Sequence, residues 1–104
     1  MQKLLKQYKA IKAKYQDAIL LFRVGDYYAL LNGDALLASE VLKLELTSSE
    51  QEEEIKYLLS FPHYALDHHL HQLVRKGHKV AVCEQLEDPK TCTGNVSRGV
   101  TDLF

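Results

Sequence analysis

Five histidines crowd the second half of this 104-residue chain: His63, His68, His69, His71 and His78. Imidazole binds zinc and exchanges protons near neutral pH, so metal coordination and acid–base work are the first chemistries to weigh. His68 and His71 stand three residues apart and share a helix face. A zinc site needs three or four converging ligands, usually with Cys or a carboxylate among them. Cys83 sits inside the apolar run "KVAVCEQ" and is expected to be buried. His69 lies next to the Leu66–Leu73 stripe and reads as a packing residue at its rim. His63 with Asp67 has the outline of a catalytic pair, but no Ser or Cys nucleophile is placed beside it. No metal site, cofactor or catalytic residue is therefore expected.

Rings and positive charge offer a different chemistry. Gly25-Asp26 reads as a tight turn, and Tyr27 and Tyr28 follow it on a strand. Successive strand residues point to opposite faces, so one ring faces in and the other out. Arg75, Lys76 and Lys79 surround Gly77. They can track a phosphate backbone, and basic residues in a helix's last turn equally complement its dipole. Arg23, just before the turn, reads as a solvated strand charge or a phosphate contact.

The balance of charge narrows the surfaces that could meet nucleic acid. Net charge is −1, which gives no global attraction. Residues 1–25 carry Lys3, Lys6, Lys9, Lys12, Lys14 and Arg23 against Asp17 alone. The stretch 26–62 is acidic, and the remainder is balanced. The lysine face of the first helix reads chiefly as a solvated face. A polyanion-binding surface must use the N-terminal helix or the C-terminal part. No apolar run approaches the ~20 residues needed to span a bilayer, and "MQKLLKQYKAIKAKY" has no signal-peptide apolar block, so a cytoplasmic location is expected. Cys83 and Cys92 are expected as plain thiols.

The elements that must position these residues follow from periodicity. Leu4, Leu5, Tyr8, Ile11 and Tyr15 form a helical stripe over residues 2–15. "AILLFRV" (18–24) and "YYALLN" (27–32) form a hairpin around Gly25-Asp26. Asn32 or Asp34 is expected to cap a helix over 34–42, with Ala35, Leu37, Ala38, Val41 and Leu42 buried. "LKLELT" (42–47) alternates and reads as a third strand. "IKYLLSF" (55–61) is a strand ended by Pro62. A helix over 64–76 buries Leu66, Leu70, Leu73 and Val74 and stops at Gly77. "HKVAVCEQ" (78–85) is a strand, and "VSRGVTDLF" is a weak final strand or tail. "SSEQEEE" and "EDPKTCTGN" read as loops. The expected fold is α+β, one domain over 1–104, with a mixed sheet flanked by about three helices.

The order and spacing of "LLFRVGDYY", "FPHYALDHHLHQ" and "LVRKGHKVAVCEQLEDPK" resemble the N-terminal mismatch-recognition domain of the MutS family of DNA mismatch repair proteins. The likeness runs from about Gln7 to Arg98. It implies a mixed sheet carrying about three helices. It also implies an aromatic ring, here Tyr27, that enters the minor groove and stacks on a mispaired base while the duplex bends. Unstacking and kinking cost a few kcal/mol, and less at a mispair, which is already poorly stacked. Double-stranded DNA with mispaired bases is the implied partner, with Tyr27, Tyr28, Arg75, Lys76, Lys79 and Arg98 as candidate contacts. Further MutS-type domains, in the same or another chain, are implied as well.

Three departures bear on that expectation. The family's base-reading glutamate falls on Ala29, which has no hydrogen-bonding side chain. The family's Lys-Arg-Gly stretch is replaced by Ser48-Ser49-Glu50 and further acids, which repel phosphates. No G-x-x-x-x-G-K-[ST] occurs, so the family's ATPase is not assigned to this chain and it is expected not to be an enzyme. Two readings result: a DNA-binding domain of mismatch-repair type, or a copy that keeps the scaffold as a protein-interaction module.

Overall fold

The computed structural model describes residues 2–48, 53–88, 90 and 96–104. In chain order it has α1 (Gln2–Lys12), β1 (Ile19–Val24), β2 (Tyr27–Leu31), α2 (Asn32–Leu42), β3 (Thr47–Ser48) and β4 (Tyr57–Pro62). A 3₁₀ turn (His63–Ala65) leads into α3 (Leu66–Arg75), followed by β5 (Val80–Gln85) and β6 (Arg98–Leu103). Among the described residues these strands form one six-stranded sheet in the order β3-β4-β2-β1-β5-β6. β1 runs parallel to β5, and every other pairing is antiparallel. The fold is α+β with a mixed sheet and three helices. No described helix is long and apolar enough to cross a membrane.

β1 is central because both its faces are apolar: Ile19, Leu20, Leu21 and Phe22 are all buried. A strand covered on two sides reads as a continuous hydrophobic run. One face carries Ile19, Leu21, Tyr28, Leu30, Leu59 and Phe61, covered by Ala35, Ala38 and Leu42 of α2 and Leu73 of α3. The other carries Leu20, Phe22, Leu31 and Cys83 under Tyr8 of α1, with Leu4, Leu5, Ile11 and Tyr15 half-buried beside it. The first helix's stripe thus packs as its spacing demands, though the helix ends at Lys12 and not at Tyr15.

Several local expectations are corrected. "LKLELT" is not a strand beyond Thr47. α2 runs through Leu42, Lys43 turns left-handed (φ 58°), and Leu44 and Leu46 then tuck into the core from an irregular segment. Neither Asn32 nor Asp34 caps α2, whose N-cap position is Leu31 with no side-chain bond. Asn32 instead bridges to β4's approach: its Nδ2 donates to the Glu54 carbonyl (2.8 Å) and its Oδ1 accepts from Lys56 N (2.8 Å). Asp34 is buried, accepting from Leu20 N (3.1 Å) and pairing with Lys12 (2.9 Å). Leu37 and Val74 face solvent and not the core.

The end of α3 behaves as expected. Gly77 takes φ 89°, its N–H donates to the Val74 carbonyl (2.9 Å), and His78 N donates to the Leu73 carbonyl (3.2 Å). That pair of bonds is the Schellman closure, which favours glycine at this position. "VSRGVTDLF" becomes strand β6 from Arg98. Cys83 is a free, buried thiol. Cys92, most of "EDPKTCTGN" and the centre of "SSEQEEE" lie outside the described residues.

Candidate nucleic-acid interface

The β1–β2 hairpin closes with Val24 opposite Tyr27 and two residues between them. Gly25 carries φ 61°, while Asp26 is not in the positive region, the pattern of a II′ turn. A side chain at the first turn position would be strained, which is why Gly stands there. The alternation after it places Tyr27 outward, 52% exposed, and Tyr28 inward, 1% exposed.

The turn's backbone is held from both sides. Gly25 N donates to Gln85 Oε1 (2.8 Å), and the Gly25 carbonyl accepts from Arg23 Nε (2.5 Å). The Asp26 carbonyl accepts from His63 N (2.8 Å) at the start of the 3₁₀ turn. Behind the turn, Arg23 Nη1 bonds Glu84 Oε1 (3.2 Å), and the Tyr28 hydroxyl donates to the other Glu84 oxygen. The Arg23 guanidinium lies 5.4 Å from the centre of the Tyr28 ring. Burial, followed by the hydrogen bond to Glu84, pushes the Tyr28 hydroxyl up to about 12, so it stays protonated and keeps donating.

Arg98 braces the same network from β6. Its Nε donates to the Arg23 carbonyl (2.6 Å), its Nη1 to Gln7 Oε1 (2.7 Å) and its Nη2 to Gln85 Oε1 (3.4 Å). Its guanidinium also covers the Phe22 ring at 5.1 Å. These bonds tie β6, β5, β1 and α1 together at the end of the sheet where Tyr27 stands.

The candidate contacts therefore separate into three groups. Tyr27 is presented to solvent. Tyr28 and Arg98 are turned to internal work: the Tyr28 ring is core, and Arg98's donors hold backbone and side-chain oxygens. Arg23, read as a solvated charge or phosphate contact, is likewise an internal strut. Arg75, Lys76 and Lys79 are exposed, but at the other end of the sheet. Ile19 N donates to the Lys79 carbonyl (2.8 Å), so Lys79 lies at the start of β1, whereas Tyr27 stands opposite its last residue, Val24. At ~3.3 Å per strand residue the two are roughly 17–20 Å apart. Lys79 also pairs with Asp17 at 3.1 Å.

Beside Tyr27 a mostly apolar groove of about 310 Å³ opens between α1 and the sheet, lined in part by Leu4, Leu5, Val24, Tyr27, Ala29 and Ser60. Ala29 sits between Phe22 and Ser60 across the strands, on the same face as Tyr27. Ala29 thus forms part of the groove's floor, and its methyl offers no hydrogen bond. The histidines do not assemble: among the described residues no three His, Cys, Asp or Glu side chains converge to hold a metal ion. His69 packs edge-on against Phe61 with ring centres 4.6 Å apart, and burial lowers its pKa.

Sequence reasoning missed Glu84 and Gln85 as supports of the turn. Their signal was a pair of polar residues closing the buried run "VAVC", at the end of the strand parallel to β1.

The model of MutS domain I matches residues 2–104. The chain belongs to the MutS domain I family. Similar relatives include DNA mismatch repair protein MutS of Cytophaga hutchinsonii, 52% identical over 100 residues, 95% of this chain and 12% of that protein. The MutS of Shouchella clausii is 47% identical over 101 residues, 97% of this chain and 12% of its own length. That of Porphyromonas gingivalis is 50% identical over 101 residues, 96% of this chain and 11% of its own. This MutS domain I thus spans about an eighth of the length of the relatives it matches.

Proposed function

We propose that this MutS domain I binds double-stranded DNA at mispaired bases, with Tyr27 as the ring that enters the minor groove. The observation that carries the reading is an exposed aromatic ring on a turn whose Gly25 N–H and Gly25 and Asp26 carbonyls are all hydrogen-bonded. Stacking a base on such a ring contributes about 1–3 kcal/mol. A rigid support means that little ordering entropy is lost on contact.

Ala29 alters how the mispair is read. With no carboxylate beside the ring, no base edge is hydrogen-bonded from this position. Discrimination then follows how readily a pair unstacks, which favours unpaired and poorly stacked bases over well-stacked mispairs. The domain acts by binding and positioning, without chemistry of its own. Any signalling output belongs to further MutS-type domains in the same or another chain.

Fluorescence anisotropy with labelled matched, mispaired and single-base-bulge duplexes at low salt tests this. The expected result is a preference for bulged and mispaired DNA that Tyr27→Ala removes, weakening that binding by roughly 5- to 150-fold, the equivalent of the stacking energy. Ala29→Glu is expected to sharpen selectivity among mispairs. Equal binding of all duplexes, unchanged by Tyr27→Ala, would overturn the reading and leave a scaffold turned to other contacts.

A further inference from the structure

We propose that Lys3 and Lys6 of α1 form, together with the Tyr27 ring, one surface that fits the phosphate backbone of a duplex. This names the partner contact of the site above and rests on that reading.

The direction of α1 carries the inference. At its C-terminal end Lys12 Nζ donates to the Ala18 carbonyl (2.5 Å) and pairs with buried Asp34, which fixes that end at the start of β1. At its other end Leu4 and Leu5 line the groove with Val24 and Tyr27. The helix therefore begins beside the turn that presents the ring. Lys3 and Lys6 stand three residues apart on it, neighbours on the helix surface with Cβ atoms about 5–6 Å apart. Both are exposed.

Lys3 and Lys6 also differ from the next two lysines of α1 in being unspent. Lys9 is paired with Glu54, and Lys12 with Asp34. Among the described residues Lys3 and Lys6 make no ion pair. Glu54 lines a small pocket with Lys6 and Lys9, and Lys9 already holds it. The ring and the apolar groove thus stand beside the first turns of α1, which carry the two unpaired ammonium groups on their exposed side. That arrangement suits a minor groove: bases within, apolar sugar faces on its walls, and phosphates at and beyond its rim. The Arg75–Lys76 cluster is exposed too, but it lies at the far end of the sheet and at the end of α3, whose Leu73 packs on the face opposite the groove.

Lys3→Gln/Lys6→Gln is compared with Arg75→Gln/Lys76→Gln in the full 104-residue chain. Binding to a bulged 20–30 base-pair duplex is followed by anisotropy as salt is raised. Two lost phosphate contacts are expected to lower the slope of log affinity against log salt by about 1.8. Affinity should fall for matched and bulged duplexes alike, since phosphates carry no sequence information, while the preference between them persists. The Arg75/Lys76 pair should leave the slope unchanged. An unchanged slope in the Lys3/Lys6 variant, or an equal fall in both variants, overturns this inference while Tyr27→Ala still abolishes the preference. If the unsubstituted chain binds no duplex, the functional reading and this inference fall together.

Discussion

The two faces of the sheet are built to different tolerances. The face under α2 and α3 is filled: Tyr28, Leu30, Leu59 and Phe61 are at most 2% exposed, and two helices close over them. The face under α1 has one helix for the same width of sheet, and it leaves a groove of about 310 Å³ beside Tyr27. Cores approach crystal-like packing wherever stability alone decides, so an open apolar groove against a filled core is the surface that the proposed binding would use. The filled face holds the ring's support still, and the open face is where the ring stands.

Adjacent residues of β4 can break that comparison most sharply. Leu59 points into the filled face and Leu58 toward the groove. Leu59→Ala should cost about 2–5 kcal/mol in denaturant unfolding, and Leu58→Ala about 1 or less, because its site is already open to solvent. Equal losses would mean that the groove is core in all but shape.

Glu84→Ala comes next. It removes the partner of Arg23 Nη1 and of the Tyr28 hydroxyl, and should destabilise by about 1–3 kcal/mol. Glu84→Gln keeps one acceptor and should recover part of that. A midpoint unchanged by Glu84→Ala would show that the network behind the turn contributes nothing.

Buried groups on the two faces, Tyr28 on the filled one and Cys83 under α1, also set an alkaline limit. Burial raises Tyr28 from 10.0 to about 12 and Cys83 from 9.0 to about 11. In both cases the folded state holds its proton where the unfolded chain has lost it. The stabilisation is complete below pH 9 and falls as pH rises from 9 to 12. Cys83→Ala should flatten the lower part of that fall and Tyr28→Phe the upper part, in unfolding midpoints measured against pH. A profile as steep in both variants as in the parent would place the alkaline sensitivity elsewhere.

The smallest effect is expected at the groove floor. Ala29→Val adds two methyl groups to space already open, and should shift stability by about 0.5 kcal/mol or less in either direction. A loss several times larger would mean that the groove closes in solution.

Much of this was legible in the sequence, and the failures share a cause. The apolar runs 18–24 and 78–85, the stripe of the first helix and the Gly25 turn are local signals, and they mark their elements within a few residues. The opposite facing of Tyr27 and Tyr28 followed from strand geometry alone, although which ring faced out did not. "LKLELT" alternates with period two, yet it is a helix end followed by a loop, since leucines can reach a core from an irregular segment as well as from a strand. Asn32 has the chemistry of a cap, but its partners lie 22 and 24 residues further on. The supports of the turn were hidden for the same reason. Gly25 and Gln85 are 60 residues apart, and Arg98 and Gln7 are 91 apart. No local period reports such pairs, and a charged residue bound internally looks, in sequence, the same as one in water.

The parallel pairing of β1 with β5 has a kinetic consequence. The hairpin β1–β2 is a local structure of the kind that closes in microseconds. Its struts on β5 and β6 arrive only after a crossover of some sixty residues, the slow, entropically costly part of such a topology. As the chain emerges during synthesis, the ring's turn is therefore shaped early and locked late. Until β5 docks, the molecule has the outline of its working edge without the stiffness.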